Sequence, residues 1–461
     1  MSIRFPALPL VAALLLGAPS LRAQEHVAHG RFADVALYRP TGEPKSFALF
    51  LSGDGGWNQG VDGMARALAA EGALVAGVDV PRFLASFRSD GASCVNPDGD
   101  LENLAHYIQG YAQLPTYFEP LLVGYSSGAT LAYAMLAQAP SGTFAAALSL
   151  GFCPELELMA APCQGAGLRY QTRPHKGIDL AASSSLGGPW WALHGEQDAV
   201  CDIATARTFV GAAPQATLVS LPNVGHGYSV QRNWLPQLLD SYRAAVAKSS
   251  AALAAPSLPG LPLVELPAAP GGGELFAVLI SGDGGWAGLD KEVAQGLAAR
   301  GIPVVGLDSL RYFWNARTPD GFAADLDRLL RFYAQHWDKR RALVIGYSQG
   351  ADVLPFALNR LSPEANVLVE RSVLLAPAEK AAFEFHLTSW IGGNTGDLPV
   401  KPEIERLDLG RVACIYGKDE SAESPCATLD PAARVRVLPG GHHFNGAYAE
   451  LVGEITAGMS W

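Results

Sequence analysis

The sequence predicts an α/β protein made of two tandem domains, each with a mainly parallel sheet flanked by helices. Two motifs occur twice and in the same order. Ser-Gly-Asp-Gly-Gly-Trp stands at Ser52–Trp57 and Ser281–Trp286, and Gly-Tyr-Ser-x-Gly stands at Gly124–Gly128 and Gly346–Gly350. The copies are separated by far more than the roughly 20 to 50 residues of a solenoid repeat. A chain of 461 residues can hold two α/β domains, so the pattern indicates a duplicated domain.

Each Gly-Tyr-Ser-x-Gly motif follows an apolar run, Leu121–Val123 or Leu343–Ile345, and precedes residues that favour a helix. A strand, then Gly-x-Ser-x-Gly, then a helix is the arrangement of a nucleophile elbow in the α/β-hydrolase fold. The glycines are needed because the serine sits on a sharp, strained turn where a neighbouring Cβ atom would collide. The motifs therefore predict nucleophilic serines at Ser126 and Ser348, in two tandem α/β-hydrolase-fold domains.

Strand-like and helix-like runs alternate in each half, and the second half shows the order clearly. Its predicted strands are 275–280, 303–307, 342–345, 372–375 and 412–416, and its predicted helices are 290–300, 322–337 and 352–360. This alternation predicts a parallel sheet with right-handed crossovers. Ligands of such sheets bind at the carboxyl ends of the strands, where both repeated motifs fall.

We predict four segments: a signal peptide at 1–23, a first domain at 24–248, a linker at 249–273 and a second domain at 274–461. Arg4, the apolar run 8–16 and the small residue Ala23 fit a cleaved export signal. An uncleaved anchor is the weaker interpretation, because the run is shorter than the roughly 20 residues of a membrane span. The linker is predicted from its Pro, Ala, Ser and Gly content.

Charge and cysteine content narrow the function classes. The formal net charge is -11, so we expect no nucleic-acid partner. Six cysteines with an even number in each half indicate an oxidising compartment, with buried free thiols as the alternative. Cys414 and Cys426 have one pairing within their half, whereas Cys94, Cys153, Cys163 and Cys201 allow three connectivities. No spacing matches a zinc motif, and we predict no metal and no cofactor.

In the first half, the chain order of this fold, serine then acid then histidine, identifies a complete triad. Ser126 is followed by Asp198, in a loop after the apolar run 190–193, and then by His226 between two glycines. The histidine would take the serine proton and return it to the leaving group, while the acid fixes the histidine tautomer.

In the second half, Ser348 is followed by an acidic loop and by two adjacent histidines. His442 is the favoured base, because it aligns with the histidine of the first half. Alignment on the glycine that begins the acidic loop favours Glu420 as the acid, but a shift of one residue favours Asp419. Both acids therefore stay candidates.

The Ser-Gly-Asp-Gly-Gly-Trp loop follows a strand where this fold takes one of its two oxyanion donors. We expect the oxyanion to bind backbone N–H groups of this loop and of the residue after the serine. The candidate donors are Gly284, Gly285, Trp286 and Gln349 in the second half and Gly55, Gly56, Trp57 and Ser127 in the first. The side chains of both tryptophans are expected to pack inside the protein.

Further motifs of the second half point to a family. They are Arg311–Trp314, Arg317–Pro319 and Pro439–Phe444, together with the two repeated motifs. With them, the second half resembles the VirJ domain. With its export signal and related first half, the chain is similar to the longer members of the AcvB/VirJ family of bacterial virulence proteins.

The resemblance implies a periplasmic serine hydrolase that cleaves the aminoacyl ester of aminoacyl-phosphatidylglycerol, above all the lysyl form. It also implies that the second half carries the activity, that the partner is a membrane phospholipid met by peripheral contact, and that secretion-system components associate with the family. A lysyl head group is cationic, so Asp283, Asp308 and Asp352 are candidate substrate-binding residues, with a turn-forming Asp-Gly pair as the alternative interpretation of Asp283. Two alternatives stay open: another exported lipase or esterase, and a non-catalytic secretion accessory protein.

Overall fold

The structure is a computed structural model that describes residues 24–460, except 90–93, 159, 166, 174–176, 253–256, 269–272 and 386–395. The predicted signal peptide at 1–23 lies outside the described residues. None of the helices in the described part of the chain has the length and hydrophobicity needed to span a bilayer.

The first half is built on a sheet of eight strands in the order β1-β2-β4-β3-β5-β6-β10-β11. These strands are β1 Glu25–His29, β2 Phe32–Tyr38, β3 Ser46–Leu51, β4 Ala73–Val78, β5 Leu121–Tyr125, β6 Ala146–Leu150, β10 Trp190–Gly195 and β11 Ala216–Leu221. The pairs β1–β2 and β2–β4 are antiparallel, and the other pairs are parallel. The helices are α1 Gln59–Ala70, α2 Val80–Ala85, α3 Pro97–Tyr111, α4 Ser127–Gln138, α5 Ile203–Gly211 and α6 Leu235–Ala252.

The second half repeats this plan with seven strands in the order β12-β14-β13-β15-β16-β19-β20. These strands are β12 Leu263–Leu266, β13 Leu275–Ile280, β14 Val304–Leu307, β15 Arg341–Tyr347, β16 Val369–Leu375, β19 Val412–Gly417 and β20 Arg434–Leu438. Only the pair β12–β14 is antiparallel among them. The helices are α7 Gly288–Ala298, α8 Ser309–Tyr312, α9 Pro319–His336, α10 Gln349–Leu358, α11 Pro363–Asn366, α12 Lys401–Glu405 and α13 Tyr448–Thr456.

Part of the predicted linker is ordered structure. Helix α6 of the first half continues to Ala252, and β12 joins the second sheet as an edge strand. The Pro-rich flank obscures this strand in the sequence, because proline is tolerated beside an edge strand although it weakens the strand pattern.

Both sheets are covered on their two faces, so their central strands are apolar without interruption. In β3, Phe47, Leu49 and Leu51 pack on one face and Ala48 and Phe50 on the other, and all five are fully buried. Strand β13 alternates in the same way between two clusters. Continuous apolar strands are expected where helices cover both sides of a parallel sheet. The predicted pair of α/β-hydrolase-fold domains is thus confirmed.

A different small sheet follows β6 and β16, the strands next to the nucleophile strand. In the first half three strands, β7 Glu155–Leu156, β8 Arg169–Arg173 and β9 Gly177–Ala181, form an antiparallel sheet. In the second half two short strands, β17 Lys380–Ala381 and β18 Leu398–Pro399, pair at this point. The two halves therefore differ where substrate pockets are usually built.

Three disulfides are formed, Cys94–Cys163, Cys153–Cys201 and Cys414–Cys426. Each lies within one half. They select one of the three connectivities that were open for the first four cysteines. Bonded cysteines of this kind are typical of proteins that fold in an oxidising compartment.

The two halves contact each other through the chain that follows α3. Trp314 Nε1 donates a 2.6 Å hydrogen bond to the Leu114 carbonyl, and the Arg311 guanidinium lies 3.2 Å from the Glu119 carboxylate. The Trp314 ring also packs against Tyr117. These contacts bring the segment that follows α3 of the first half beside α8 and the residues after it in the second half.

Candidate active sites

Both predicted nucleophiles occupy strained elbows between a strand and a helix. Ser126, between β5 and α4, has φ 55° and ψ -122°, and Ser348, between β15 and α10, has φ 52° and ψ -121°. A Cβ atom on Gly124 would lie 2.0 Å from the Gly128 carbonyl oxygen. The flanking glycines are therefore required by close packing, and the serines are held where only a constrained backbone places them.

The first triad is assembled. Ser126 Oγ lies 2.9 Å from His226 Nε2, and His226 Nδ1 lies 2.8 Å from Asp198 Oδ2. The other Asp198 oxygen accepts the backbone N–H groups of Val200 and Cys201, each at 2.9 Å. The carboxylate is thus fixed from both sides, with its side chain fully buried. The arrangement can activate the serine by proton transfer to the histidine.

The second triad has the same geometry with a different acid. Ser348 Oγ lies 2.9 Å from His442 Nε2, and His442 Nδ1 lies 2.7 Å from Glu420 Oε1. Of the two candidate acids, the structure brings Glu420 to the histidine, whereas Asp419 donates its backbone N–H to the Gly440 carbonyl. A 3₁₀ turn at 418–420 directs Glu420 toward the base.

The adjacent histidine and the elbow tyrosines have supporting positions. Tyr347 Oη lies 2.9 Å from His443 Nδ1 and 3.4 Å from the His442 carbonyl oxygen. In the first half, Tyr125 Oη donates to the His226 carbonyl at 2.9 Å. This role of the tyrosines was not predicted from the sequence. The signal was the tyrosine shared by both Gly-Tyr-Ser-x-Gly motifs.

In the first half, two of the predicted oxyanion donors, the N–H groups of Gly56 and Trp57, have other hydrogen-bond partners. The Gly56 N–H donates to the Gly53 carbonyl at 3.0 Å, and the Trp57 N–H donates to Asp79 Oδ2 at 3.0 Å. The N–H groups of Gly56 and Trp57 are therefore bonded to Gly53 and Asp79 and are not available to an oxyanion at Ser126. The prediction did not account for the turn that the two glycines close.

The second half repeats this arrangement. The Gly285 N–H donates to the Gly282 carbonyl at 3.1 Å, and the Trp286 N–H bonds the Asp308 carboxylate. Gly285 and Trp286 are therefore also turned away from the serine. The Trp286 ring instead covers Gly306, where an added Cβ would lie 2.1 Å from the ring, so this tryptophan packs as expected.

Of the predicted oxyanion donors, the residues that directly follow the serines are positioned to bind an oxyanion. Ser127 and Gln349 begin α4 and α10, and the first N–H groups of a helix have no partner within it. A Cβ on Gly282 would lie 3.3 Å from the Ser348 Cβ, so the loop backbone passes beside the nucleophile. Gly284 lies two residues further along this loop, where its N–H donates to the Asp283 carboxylate, and Gly55 has the same position in the first half.

Two of the three predicted substrate carboxylates are buried anchors. Asp308, 6% exposed, accepts the Arg311 N–H at 3.1 Å and so caps α8. Asp352, 7% exposed, accepts the Ala378 N–H at 2.6 Å. Their first-half counterparts have the same roles, since Asp79 caps α2 and Thr130 bonds the Cys153 backbone. The structure places Asp308 and Asp352 under the site rather than in it.

Asp283 is the predicted carboxylate that faces the second triad. Burial raises the pKa of Asp283, and the neighbouring imidazoles of His442 and His443 oppose that shift. Its carboxylate accepts the N–H of Gly284. In the first half, the counterpart Asp54 is exposed.

A carboxylate from the first half also reaches this region. Burial, with the charges of Asp98 and Asp283, raises the pKa of Glu102 on α3 to about 8. The charges of Glu102 and Asp283 therefore interact across the two halves. No local motif marks Glu102, and only the contact between the halves brings it there.

Each triad opens into a cavity. The one beside Ser126 has a volume of about 500 Å³, and the one beside His442 about 360 Å³. The second triad is the more accessible, with His442 and Glu420 side chains 38% and 28% exposed against 18% for His226. Within the described residues, no group of three or more His, Cys, Asp or Glu side chains could hold a metal ion.

Several solved structures are similar to about half of this chain. A putative dienelactone hydrolase from Klebsiella pneumoniae is 18% identical with a TM-score of 0.34, covering 47% of this chain and 92% of that chain. The esterase domain of a Rhodothermus marinus protein is 18% identical with a TM-score of 0.32, covering 48% and 96%. Esterase 2 of Thermogutta terrifontis is 17% identical with a TM-score of 0.35, covering 50% and 97%.

No curated protein gives a significant match. A family model described as bacterial virulence protein (VirJ) matches residues 45–150 and 274–460, which is more than half of the chain. The second region contains the whole triad of the second half, and the first region contains Ser126 but ends before Asp198 and His226. With two α/β-hydrolase-fold domains, each carrying a serine triad, the chain belongs to the VirJ family.

Proposed function

We propose that the protein is an exported serine esterase that uses Ser348 to cleave the aminoacyl ester of aminoacyl-phosphatidylglycerol. The products are the amino acid and phosphatidylglycerol, and lysyl-phosphatidylglycerol is the preferred substrate. The observation that carries this proposal is the triad of Ser348, His442 and Glu420 with the Asp283 carboxylate beside it. The three disulfides support an exported, periplasmic location.

The chemistry follows from the geometry. Ser348 Oγ attacks the ester carbonyl while His442 Nε2 takes its proton, and Glu420 stabilises the resulting imidazolium. The Gln349 N–H binds the developing oxyanion, a contribution of about 3 kcal/mol for one such donor. His442 then protonates the glycerol oxygen, so phosphatidylglycerol leaves and an aminoacyl-serine remains. Water, deprotonated by the same histidine, releases the amino acid.

The position of Asp283 supports an aminoacyl group. The α-ammonium of an aminoacyl ester is on the carbon next to the reacting carbonyl, so it must lie within a few ångströms of Ser348. Asp283 directly follows Gly282, whose backbone passes beside that serine. An ammonium there would pair with the Asp283 carboxylate and draw it from the Gly284 N–H, which would then be open to the oxyanion. A lysyl side chain adds a second cation, which a protein with a formal net charge of -11 attracts.

A lipid leaving group needs space outside the pocket. The greater exposure of His442 and Glu420 suits a substrate whose diacylglycerol part stays in the membrane. Peripheral contact of the second half with the membrane is therefore part of the proposal.

The test is the release of free amino acid by the purified protein. Lysyl-phosphatidylglycerol, alanyl-phosphatidylglycerol and unmodified phosphatidylglycerol are presented in mixed micelles, with Ser348→Ala as the matched control. We expect lysine release, slower alanine release and no fatty acid from any lipid. Fatty acid release would indicate a lipase instead, and equal lysine release by Ser348→Ala would exclude Ser348.

A further inference from the structure

The first half carries a triad that the proposed function does not use. We propose that it is a second catalytic centre, an esterase at Ser126 for small soluble esters whose acyl group is neutral or cationic. This proposal is independent of the activity assigned to Ser348.

The machinery of the first site is complete. The contacts from Ser126 to His226 and from His226 to Asp198 are 2.9 and 2.8 Å. The Tyr125 hydroxyl holds the histidine backbone, and the Ser127 N–H begins a helix beside the nucleophile. A non-glycine residue held in such a strained conformation is usually found at a functional site. A domain with only a structural role would have no use for this combination.

The substrate pocket of the first site is not a copy of the second. Most of its lining residues lie after residue 150, where the VirJ family match in the first half ends. The three-stranded sheet of β7, β8 and β9 forms one side, whereas the described residues of the second half place the β17–β18 pair there. The same triad geometry is thus combined with a different binding surface, which indicates a different substrate.

The pocket is small and has an apolar floor. Its volume of about 500 Å³ is within the usual range for small-molecule sites. Phe152, Leu156 and Ala206 line it and are almost fully buried. The Cys153–Cys201 disulfide joins the pocket floor to the loop that holds the triad acid. A short acyl chain would fill this floor.

The rim of the pocket is acidic. Asp54, Glu155, Glu157 and Asp202 line it, and Arg173 is the one cation among the described lining residues. Arg173 is already paired, with its guanidinium 2.5 Å from Glu155 and 2.5 Å from Asp179. The negative electrostatic potential at the rim therefore repels an acyl group that ends in a carboxylate, whereas a neutral or cationic acyl group can bind.

The reaction needs only the ester and water. Ser126 Oγ forms a bond to the carbonyl carbon as His226 takes the serine proton. The bond to the alcohol oxygen breaks as His226 returns that proton to it. Water then attacks the acyl-serine, giving the free acid and restoring the serine.

The experiment isolates Ser126 in the full chain by using Ser348→Ala. A fluorophosphonate probe followed by peptide mass spectrometry should label Ser126. p-Nitrophenyl butyrate should be hydrolysed with at least tenfold higher kcat/KM than p-nitrophenyl hydrogen glutarate, which carries a terminal carboxylate. Adding Ser126→Ala should remove the probe labelling and at least a thousandfold of the rate, and Glu157→Gln should narrow the preference for butyrate.

The proposal is overturned if the folded Ser348→Ala protein, checked by its circular dichroism melting curve, leaves Ser126 unlabelled and is no faster than the double variant. A preference for the glutarate ester would overturn the substrate class. Lysine release by Ser126→Ala measures the Ser348 activity separately, so a failure of one proposal is distinguishable from a failure of the other.

Discussion

The acid of the second triad can be tested by a matched pair of substitutions, Glu420→Gln and Asp419→Asn. Glu420 Oε1 is 2.7 Å from His442 Nδ1, so it fixes the tautomer in which Nε2 faces Ser348. The amide can present its NH₂ group to Nδ1, which favours the opposite tautomer and blocks proton transfer. Loss of this carboxylate costs about 10⁴ in kcat in a serine protease. The Glu420 side chain is 28% exposed, and solvent can partly replace its charge, so we expect a loss of about 10²–10⁴.

Asp419→Asn is the control because it changes the same charge one residue away. Asp419 donates its backbone N–H to the Gly440 carbonyl, and the substitution leaves this hydrogen bond unchanged. Its kcat should stay within about tenfold of the parent protein. The assay is lysine release at saturating substrate, with melting temperatures to confirm folding. Near-normal turnover in Glu420→Gln, or a larger loss in Asp419→Asn, would refute the assignment of the acid.

Three further outcomes are expected. Tyr125→Phe should lower turnover at Ser126 several-fold more than Tyr347→Phe lowers turnover at Ser348. The reason is that the hydrogen bond from the tyrosine to the histidine carbonyl is 2.9 Å in the first site and 3.4 Å in the second. Equal effects of the two substitutions in ester assays would contradict this. The folded-state pKa of Glu102 is raised to about 8 from an ordinary value near 4.5, so the stability gained from its neutral form is lost as pH rises between those values. The melting temperature of Glu102→Gln minus that of the parent protein should therefore be larger at pH 9 than at pH 5. The same difference at both pH values would contradict this. Cys426→Ser removes the disulfide that closes the loop around Glu420. We expect it to lower kcat more than its loss of melting temperature would explain, because the disulfide restricts the position of the triad acid. An unchanged kcat with a large loss of melting temperature would show that the disulfide has a purely structural role.

The features that the sequence predicted are those set by short-range geometry. The elbow serines are recognisable because a strained turn between a strand and a helix needs glycine on both sides. The order Ser126, Asp198, His226 was predictable because each of these residues lies at or soon after the carboxyl end of a strand. Repetition of the motifs made the two-domain plan readable as well.

The features that it did not predict depend on how loops close and how the halves meet. The choice of Glu420 over Asp419 depends on a 3₁₀ turn whose register no local pattern fixes. The inward turn of the Gly56 and Gly285 N–H groups depends on hydrogen bonds within the loop. Glu102 is distant in sequence from the second triad, so only the folded chain shows it near Asp283.

If Ser348 is the nucleophile, it carries the aminoacyl group during turnover. Acid quenching of the reaction with lysyl-phosphatidylglycerol within the first turnovers, followed by peptide mass spectrometry, tests this most directly. We predict one lysyl group in ester linkage on the peptide that contains Ser348, absent from Ser348→Ala. A lysyl group on the Ser126 peptide instead, or lysine release without any adduct on Ser348 in a rapid-quench series, would contradict the account.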